Sequence, residues 1–363
     1  MEGERWLDAK LRRLYPGYFA LVMATGIVSN GFYLVGQRTL SLALLAFNLA
    51  AFPLLAGATV LRAFRFGREL VADLLDPRLV FTFFTIVAGS DVLGGQLHLR
   101  GFDHVAVALW LFALCAWVLL GYFSFAVLAF DTSEAGVDVV HGGWLIAIVG
   151  TESLVVLGTP LAPRFGGVEP LAFVTLYTLW SVGIALYGIF VTLFAYRLFF
   201  TRLEPSQINP LFWVVMGAAA ISANAGSVLI LHDPDLPFLR AMRPFVDGTT
   251  LLLWAWATWL IPLLVLLGVW RHAVRSVPLR YHPTYWSLVF PLGMYSVATA
   301  RLSLAADYSP IESMSRVMIW VAFAAWLVTL AGLARSLVTT AGYAGGPVDA
   351  REAVDRSRHA AGP

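Results

Sequence analysis

Apolar residues along this chain gather into ten long runs, each closed by charged or turn-forming residues. The runs cover approximately residues 16–35, 40–64, 79–97, 104–128, 142–160, 170–199, 210–231, 244–269, 284–305 and 314–338. A bilayer core of about 30 Å is crossed by roughly 20 apolar residues in a helix, so the pattern predicts an all-α integral membrane protein with ten transmembrane helices. The connections are short and leave no room for an inserted soluble domain. Residues 1–15 are polar and basic, yet Trp6, Leu7, Leu11 and Leu14 fall toward one side, as in a short helix at the membrane surface. An unstructured basic arm fits the same composition. From residue 339 onward the chain is Gly/Ala-rich and charged, which predicts a disordered tail.

The runs alternate in character. Odd runs hold 13 glycines against 7 in the even runs. The intramembrane polar stretches "ATGIVSN", "AGSDVLGGQ", "VGTESLV" and "ISANAGS" also lie on odd runs, whereas "ALWLFALCAWVLL" on an even run reads as lipid-facing. Small residues let helices approach closely, and polar ones face protein or water rather than lipid. The simplest arrangement is five odd–even hairpins, with the odd helices forming an inner pore ring and the even helices an outer ring. Tight packing without a pore is the competing explanation.

Composition agrees with a membrane class and removes others. Hydrophobic residues make up 59% of the chain and charged residues 13%, against about a quarter charged in soluble domains. A net charge of +2 gives no electrostatic case for nucleic-acid binding. With the N-terminus cytoplasmic, 17 of the 24 basic residues fall inside and 7 outside. The positive-inside rule therefore places both termini in the cytoplasm. No cleavable signal peptide is expected, because the first sixteen residues carry no apolar core leading to a small-residue site. The single Cys115 sits in an apolar run and reads as a small hydrophobe. The seven histidines show no metal-ligand spacing, and no phosphate-binding loop, dinucleotide fingerprint or nucleophile elbow is present. An enzyme is not expected, and neither is a metal or other cofactor.

Four stretches carry a family resemblance: "PGYFALVMATGIVS", "GGWLIAIVGTESLVVLG", "FWVVMGAAAISANAGSVLI" and "YWSLVFPLGMYSVATARL". They resemble the tellurite-resistance/dicarboxylate transporter family, which includes bacterial tellurite-resistance proteins, fungal malate permeases and sulfite exporters, and plant slow anion channels. The resemblance runs from about residue 16 to 338. It implies a plasma-membrane homotrimer with one pore per subunit, moving small anions such as malate, sulfite, nitrate or chloride. It also implies a phenylalanine plug immediately before a proline on the ninth helix, a position that Phe290 and Pro291 match. The alternative on the same scaffold is a proton-coupled dicarboxylate or sulfite carrier.

Residue chemistry adds candidates. Pro291 lacks an amide proton and clashes with the preceding turn, so a kink in the ninth helix is expected that pushes Phe290 toward a pore axis. Gly26, Gly94, Gly150 and Gly226 are candidate bends in the other odd helices. Thr25, Ser29, Ser90, Thr151, Ser153, Asn224, Ser227, Ser296 and Thr299 supply hydroxyls and amides able to replace part of an anion's hydration shell. Arg301, near the outer end of the ninth run, either attracts anions or snorkels to the interface. Asp91 and Glu152 are carboxyls where an anion channel calls for neutral groups. Each is either a proton-coupling site, with Glu152 the stronger candidate as the one nearer mid-membrane, or a structural group behind the pore wall.

Overall fold

The computed structural model describes residues 2–131, 139–201, 204 and 207–342, and every regular element among them is helical. The first seven α-helices are α1 (Glu2–Arg12), α2 (Ala20–Leu34), α3 (Arg38–Arg65), α4 (Gly67–Leu75), α5 (Phe84–His98), α6 (Asp103–Asp131) and α7 (Ile146–Leu161). The remaining six are α8 (Glu169–Phe200), α9 (Trp213–His232), α10 (Pro237–Ala241), α11 (Arg243–Val269), α12 (Trp286–Ala305) and α13 (Glu312–Gly342). Nine stretches of the described residues are long and apolar enough to cross a membrane. One of them, Gly142–Phe200, is 59 residues long and contains both α7 and α8. The two are separated at Gly166, whose φ of 55° suits a residue without a Cβ and cannot continue a right-handed helix. The short helices α4 and α10 fall in segments that the hydropathy pattern reads as plain connections. Helix α13 runs four residues past the expected start of the tail, and residues 343–363 lie outside the described residues.

Burial follows the alternation of the sequence. The apolar windows of α2, α5, α9 and α12 are 78–94% buried, whereas those of α3, α6, α11 and α13 are only 17–22% buried. Helix α7 is buried at all but Val156 and Pro160. These five buried helices touch in a closed order: α2 on α5, α5 on α7, α7 on α9, α9 on α12, and α12 back on α2. Each also packs against the long helix that follows it, as α2 on α3, α5 on α6, α7 on α8, α9 on α11 and α12 on α13.

Each buried helix starts with a 3₁₀ turn, at Pro16–Phe19, Val80–Phe83, Gly142–Leu145, Pro210–Phe212 and Pro283–Tyr285. Helix starts leave backbone N–H groups unpaired, and buried starts must find acceptors for them. Before three of these turns a side chain supplies one. His141 Nδ1 accepts from Gly143 N at 2.9 Å, Asn209 Oδ1 from Leu211 N at 2.9 Å, and His282 Nδ1 from Thr284 N at 3.3 Å. His141 Nε2 completes its pairing on the Arg78 carbonyl at 2.7 Å. Burial, the largest influence, pushes its imidazole down to about 4, so the ring stays neutral and keeps its acceptor nitrogen at neutral pH.

At the same end of the bundle, buried Arg62 pairs with Asp73 at 2.6 Å and donates to the Arg12 carbonyl at 3.2 Å. Arg12–Glu69 and Arg65–Asp8 contacts at 3.3 and 2.9 Å hold α1 across α3 and α4.

Small residues set the closest approaches. A Cβ on Gly142 would collide with the backbone of Leu211, where the 3₁₀ turns before α7 and α9 abut. Backbone cannot swing aside as a side-chain tip can. Gly142→Ala is therefore expected to lower stability by about 1–3 kcal/mol, read as a drop in melting temperature in detergent. Gly57→Ala, on lipid-facing α3 with nothing within 4 Å of the new methyl, should leave it unchanged or slightly raised.

Candidate functional site

Helix α12 continues through Pro291 without a break from Trp286 to Ala305. Successive residues on a helix are rotated by about 100°, so Phe290, Met294, Val297 and Arg301 form one stripe. Pro291 and Gly293 lie on either side of it. Pro291 faces α9, where a Cβ on Gly217 would come within 2.7 Å of its ring, and Gly293 faces α2 at Ile27 and Val28. The stripe thus points between α9 and α2, into the space that the five buried helices surround.

That space holds a small, partly open cavity of about 40 Å³. All five buried helices contribute to its wall, each through its C-terminal half or, for α9, its middle. The polar groups on the wall are Asn30, Asp91, His98, Ser153, Asn224 and Arg301, set among aliphatic side chains such as Ile27, Ile221 and Val297. Met294 is the cavity residue on α12 nearest Phe290. Phe290 itself, 2% exposed, occupies the next turn of the same stripe beyond the cavity.

Several polar groups on the wall lack a full set of hydrogen bonds. Asn224 is wholly buried; its Oδ1 receives Arg301 Nη1 at 3.5 Å, and its Nδ2 has no partner among the described residues. Asp91 is 2% exposed; its Oδ2 lies 2.7 Å from Ser153 Oγ, and its Oδ1 has no partner among the described residues. Asn30 Oδ1 is also unpaired. His98, at the rim, is tied through Nδ1 to Asp103 Oδ1 at 2.6 Å, and Asp103 also pairs with Arg164.

Most of the other sequence candidates lie elsewhere. Thr25 accepts from Trp326 of α13 at 2.9 Å, Thr151 from Trp117 of α6 at 2.7 Å, and Thr299 from Trp254 of α11 at 2.9 Å. Ser29 donates to the Ser41 carbonyl of α3 and Ser296 to the Ser315 carbonyl of α13, both at 2.7 Å. Ser90 and Ser227 donate to carbonyls one turn back on their own helices, at 2.7 and 2.9 Å. None of these seven borders the cavity, and five of them tie a buried helix to an outer one. Of the nine hydroxyl and amide candidates, the structure brings only Ser153 and Asn224 to the cavity wall. Asn30 and His98 were not anticipated; the signal available was their position three and seven residues along from Ile27 and Asp91 on the same helical faces.

Glu152 lies behind the cavity wall, where the structural one of its two readings would put it. It is wholly buried, but its carboxylate points out of the ring toward α8, where it fills the space a side chain on Gly183 would need. Neither oxygen reaches hydrogen-bonding geometry; Ser222 lies alongside, with its hydroxyl given to the Ala218 carbonyl. Of the two carboxyls, Asp91 borders the cavity and Glu152 does not. Gly26, Gly94, Gly150 and Gly226 do not interrupt their helices. A Cβ on each would meet Val92, Leu157, Phe84 and Thr250 respectively, so all four are sites of close packing.

Residues 13–334 match the family of voltage-dependent anion channels. The chain belongs to that family. It is 40% identical over 166 residues to an uncharacterized membrane protein of Mycobacterium tuberculosis, covering 46% of this chain and 79% of that protein. Two uncharacterized transporters of Methanocaldococcus jannaschii are each 25% identical, covering 88 and 89% of this chain and 92 and 95% of theirs. Membership in a family of anion channels supplies the general activity, anion transport across a membrane.

If the hydroxyl contacts hold the two layers together, Thr25→Val should strand the buried Trp326 N–H. Melting temperature should fall by the equivalent of about 1–3 kcal/mol, while single-channel conductance in planar bilayers stays at the wild-type value. A changed conductance at unchanged stability would return Thr25 to the pore wall.

Proposed function

We propose that this chain is a gated pore for small anions: ten transmembrane helices in five hairpins, the five buried helices lining the pathway and Phe290 closing it. The observation that carries this reading is the stripe on α12. Arg301, Val297 and Met294 border a cavity walled by all five buried helices, and Phe290 sits one turn further along the same line. A phenyl ring in so narrow a passage blocks it by occupancy and by excluding water. Pro291, against Gly217, fixes the turn on which the ring is carried. Arg301 supplies positive potential within the vestibule, which raises the local anion concentration.

In this reading both termini are cytoplasmic, the cavity opens to the outer face of the plasma membrane, and the functional unit is a homotrimer with one pore per chain. Malate-like dicarboxylates, sulfite, nitrate and chloride are the candidate anions. A second reading, a proton-coupled carrier of dicarboxylate or sulfite, is favoured by one feature, the carboxyl of Asp91 on the cavity wall.

Replacing Phe290 separates a gate from a core residue. Phe290→Ala should raise chloride current in planar bilayers well above wild type, at equal expression and assembly. As a core residue it would instead leave a hole costing about 3–5 kcal/mol, and current would fall together with stability. A well-folded Phe290→Ala protein with no gain in conductance at any voltage refutes the gate.

A further inference from the structure

The cavity wall presents two kinds of unpaired polar atom, and no simple halide can satisfy both. Asn224 Nδ2 and the Arg301 guanidinium are donors; Asn224 is oriented by the Arg301 contact to its Oδ1, which leaves the amide N–H groups free. Asp91 Oδ1 is an acceptor with no partner. Its character follows from a proton count at Ser153. Ser153 Oγ lies 2.8 Å from the Gly150 carbonyl and 2.7 Å from Asp91 Oδ2. A carbonyl only accepts and a serine has one proton to give. Both contacts are hydrogen bonds when the Asp91 carboxyl carries its own proton on Oδ2. Oδ1 is then a neutral carbonyl-type acceptor, buried beside the cavity, that does not repel an anion. The other charged or titratable groups on the wall are Arg301 of α12 and His98 of α5, the latter engaged by Asp103.

We propose that this cavity is a selectivity site for a hydroxyl-bearing oxyanion, with Arg301 and Asn224 taking its charged oxygens and Asp91 Oδ1 accepting its O–H. The assignment deepens the anion-pore reading and rests on it. Chloride or nitrate engages the donors and leaves a buried acceptor stranded, which costs affinity. A hydrogen-bearing anion pairs both sides. Bicarbonate and nitrate form a matched pair for the test, since both are planar, monovalent and built on three oxygens, and only bicarbonate has a hydroxyl.

The experiment measures bi-ionic reversal potentials for bicarbonate against nitrate at pH 8, with the full chain carrying Phe290→Ala in planar bilayers. Bicarbonate should be preferred by about tenfold, equivalent to about 1.4 kcal/mol. Adding Asp91→Ala should bring the ratio near one, while Asp91→Asn, which keeps a neutral acceptor in place, should retain the preference. Nitrate passing as well as bicarbonate in the parent, or a preference that survives Asp91→Ala, overturns the site while leaving the pore standing. A folded protein that conducts neither anion overturns the pore and the site together. Thermal shift of the wild-type chain gives an answer that does not depend on Asp91→Ala folding. Bicarbonate should raise the melting temperature more than equimolar nitrate, and the reverse order counts against the proposal.

Discussion

A polar side chain at membrane depth has to find its partner within the protein, because lipid offers none. That constraint organises this molecule. Each long outer helix carries a polar residue that reaches the next buried helix in the closed order. Asn48 of α3 donates to Gln96 of α5 as well as to the Val22 carbonyl, and Trp117 of α6 donates to Thr151 of α7. Trp180 of α8 donates to the Ser222 carbonyl of α9, Trp254 of α11 to Thr299 of α12, and Trp326 of α13 to Thr25 of α2. The outer layer is thereby fixed to the inner one around the full circuit, and the spacing of the five buried helices is set from outside.

Such a frame explains how a cavity persists among helices that would otherwise close on it. With most hydroxyls turned outward, the side chains left facing inward are mainly aliphatic. Among the described residues, unpaired polar atoms on Asn30, Asp91 and Asn224 belong to cavity-lining residues of three different buried helices, while others, the Glu152 carboxyl among them, lie behind the wall. An unpaired buried polar atom is costly, and in the proposed pore the three on the cavity-lining residues are where a passing solute would supply what the protein withholds. In the proposed pore Arg301 would give that solute its sign, and Phe290 would stand where it has to pass.

Much of this was legible in the sequence. Apolar runs located the long helices, and the uneven distribution of glycine and polar residues foretold which of them are buried. The stretch from Trp286 to Leu302 carried the family motif around Phe290 and Pro291. The sequence could not reveal direction within a helix. Glu152 and Ser153 are adjacent, yet a rotation of about 100° sends one toward Gly183 of α8 and the other to the cavity. A threonine in a buried helix reads as pore lining until the tryptophan that donates to it is known, and Trp326 lies 301 residues from Thr25. The short helix α4 escaped notice because its nine residues are too few to register as a span, and the 3₁₀ turns before the buried helices leave no hydropathy signal.

The central claim is that water reaches the stripe on α12 ending at Phe290 and does not reach the hydroxyls on its other faces. Thiol accessibility tests this directly. In a Cys115→Ser background, which removes the chain's only cysteine, single cysteines are placed at Met294, Val297, Ser296 and Thr299 in proteoliposomes. The account predicts that a charged, membrane-impermeant thiol reagent modifies the cysteines at Met294 and Val297 and spares those at Ser296 and Thr299. Modification at Ser296 and Thr299 with protection at Met294 and Val297 would contradict it.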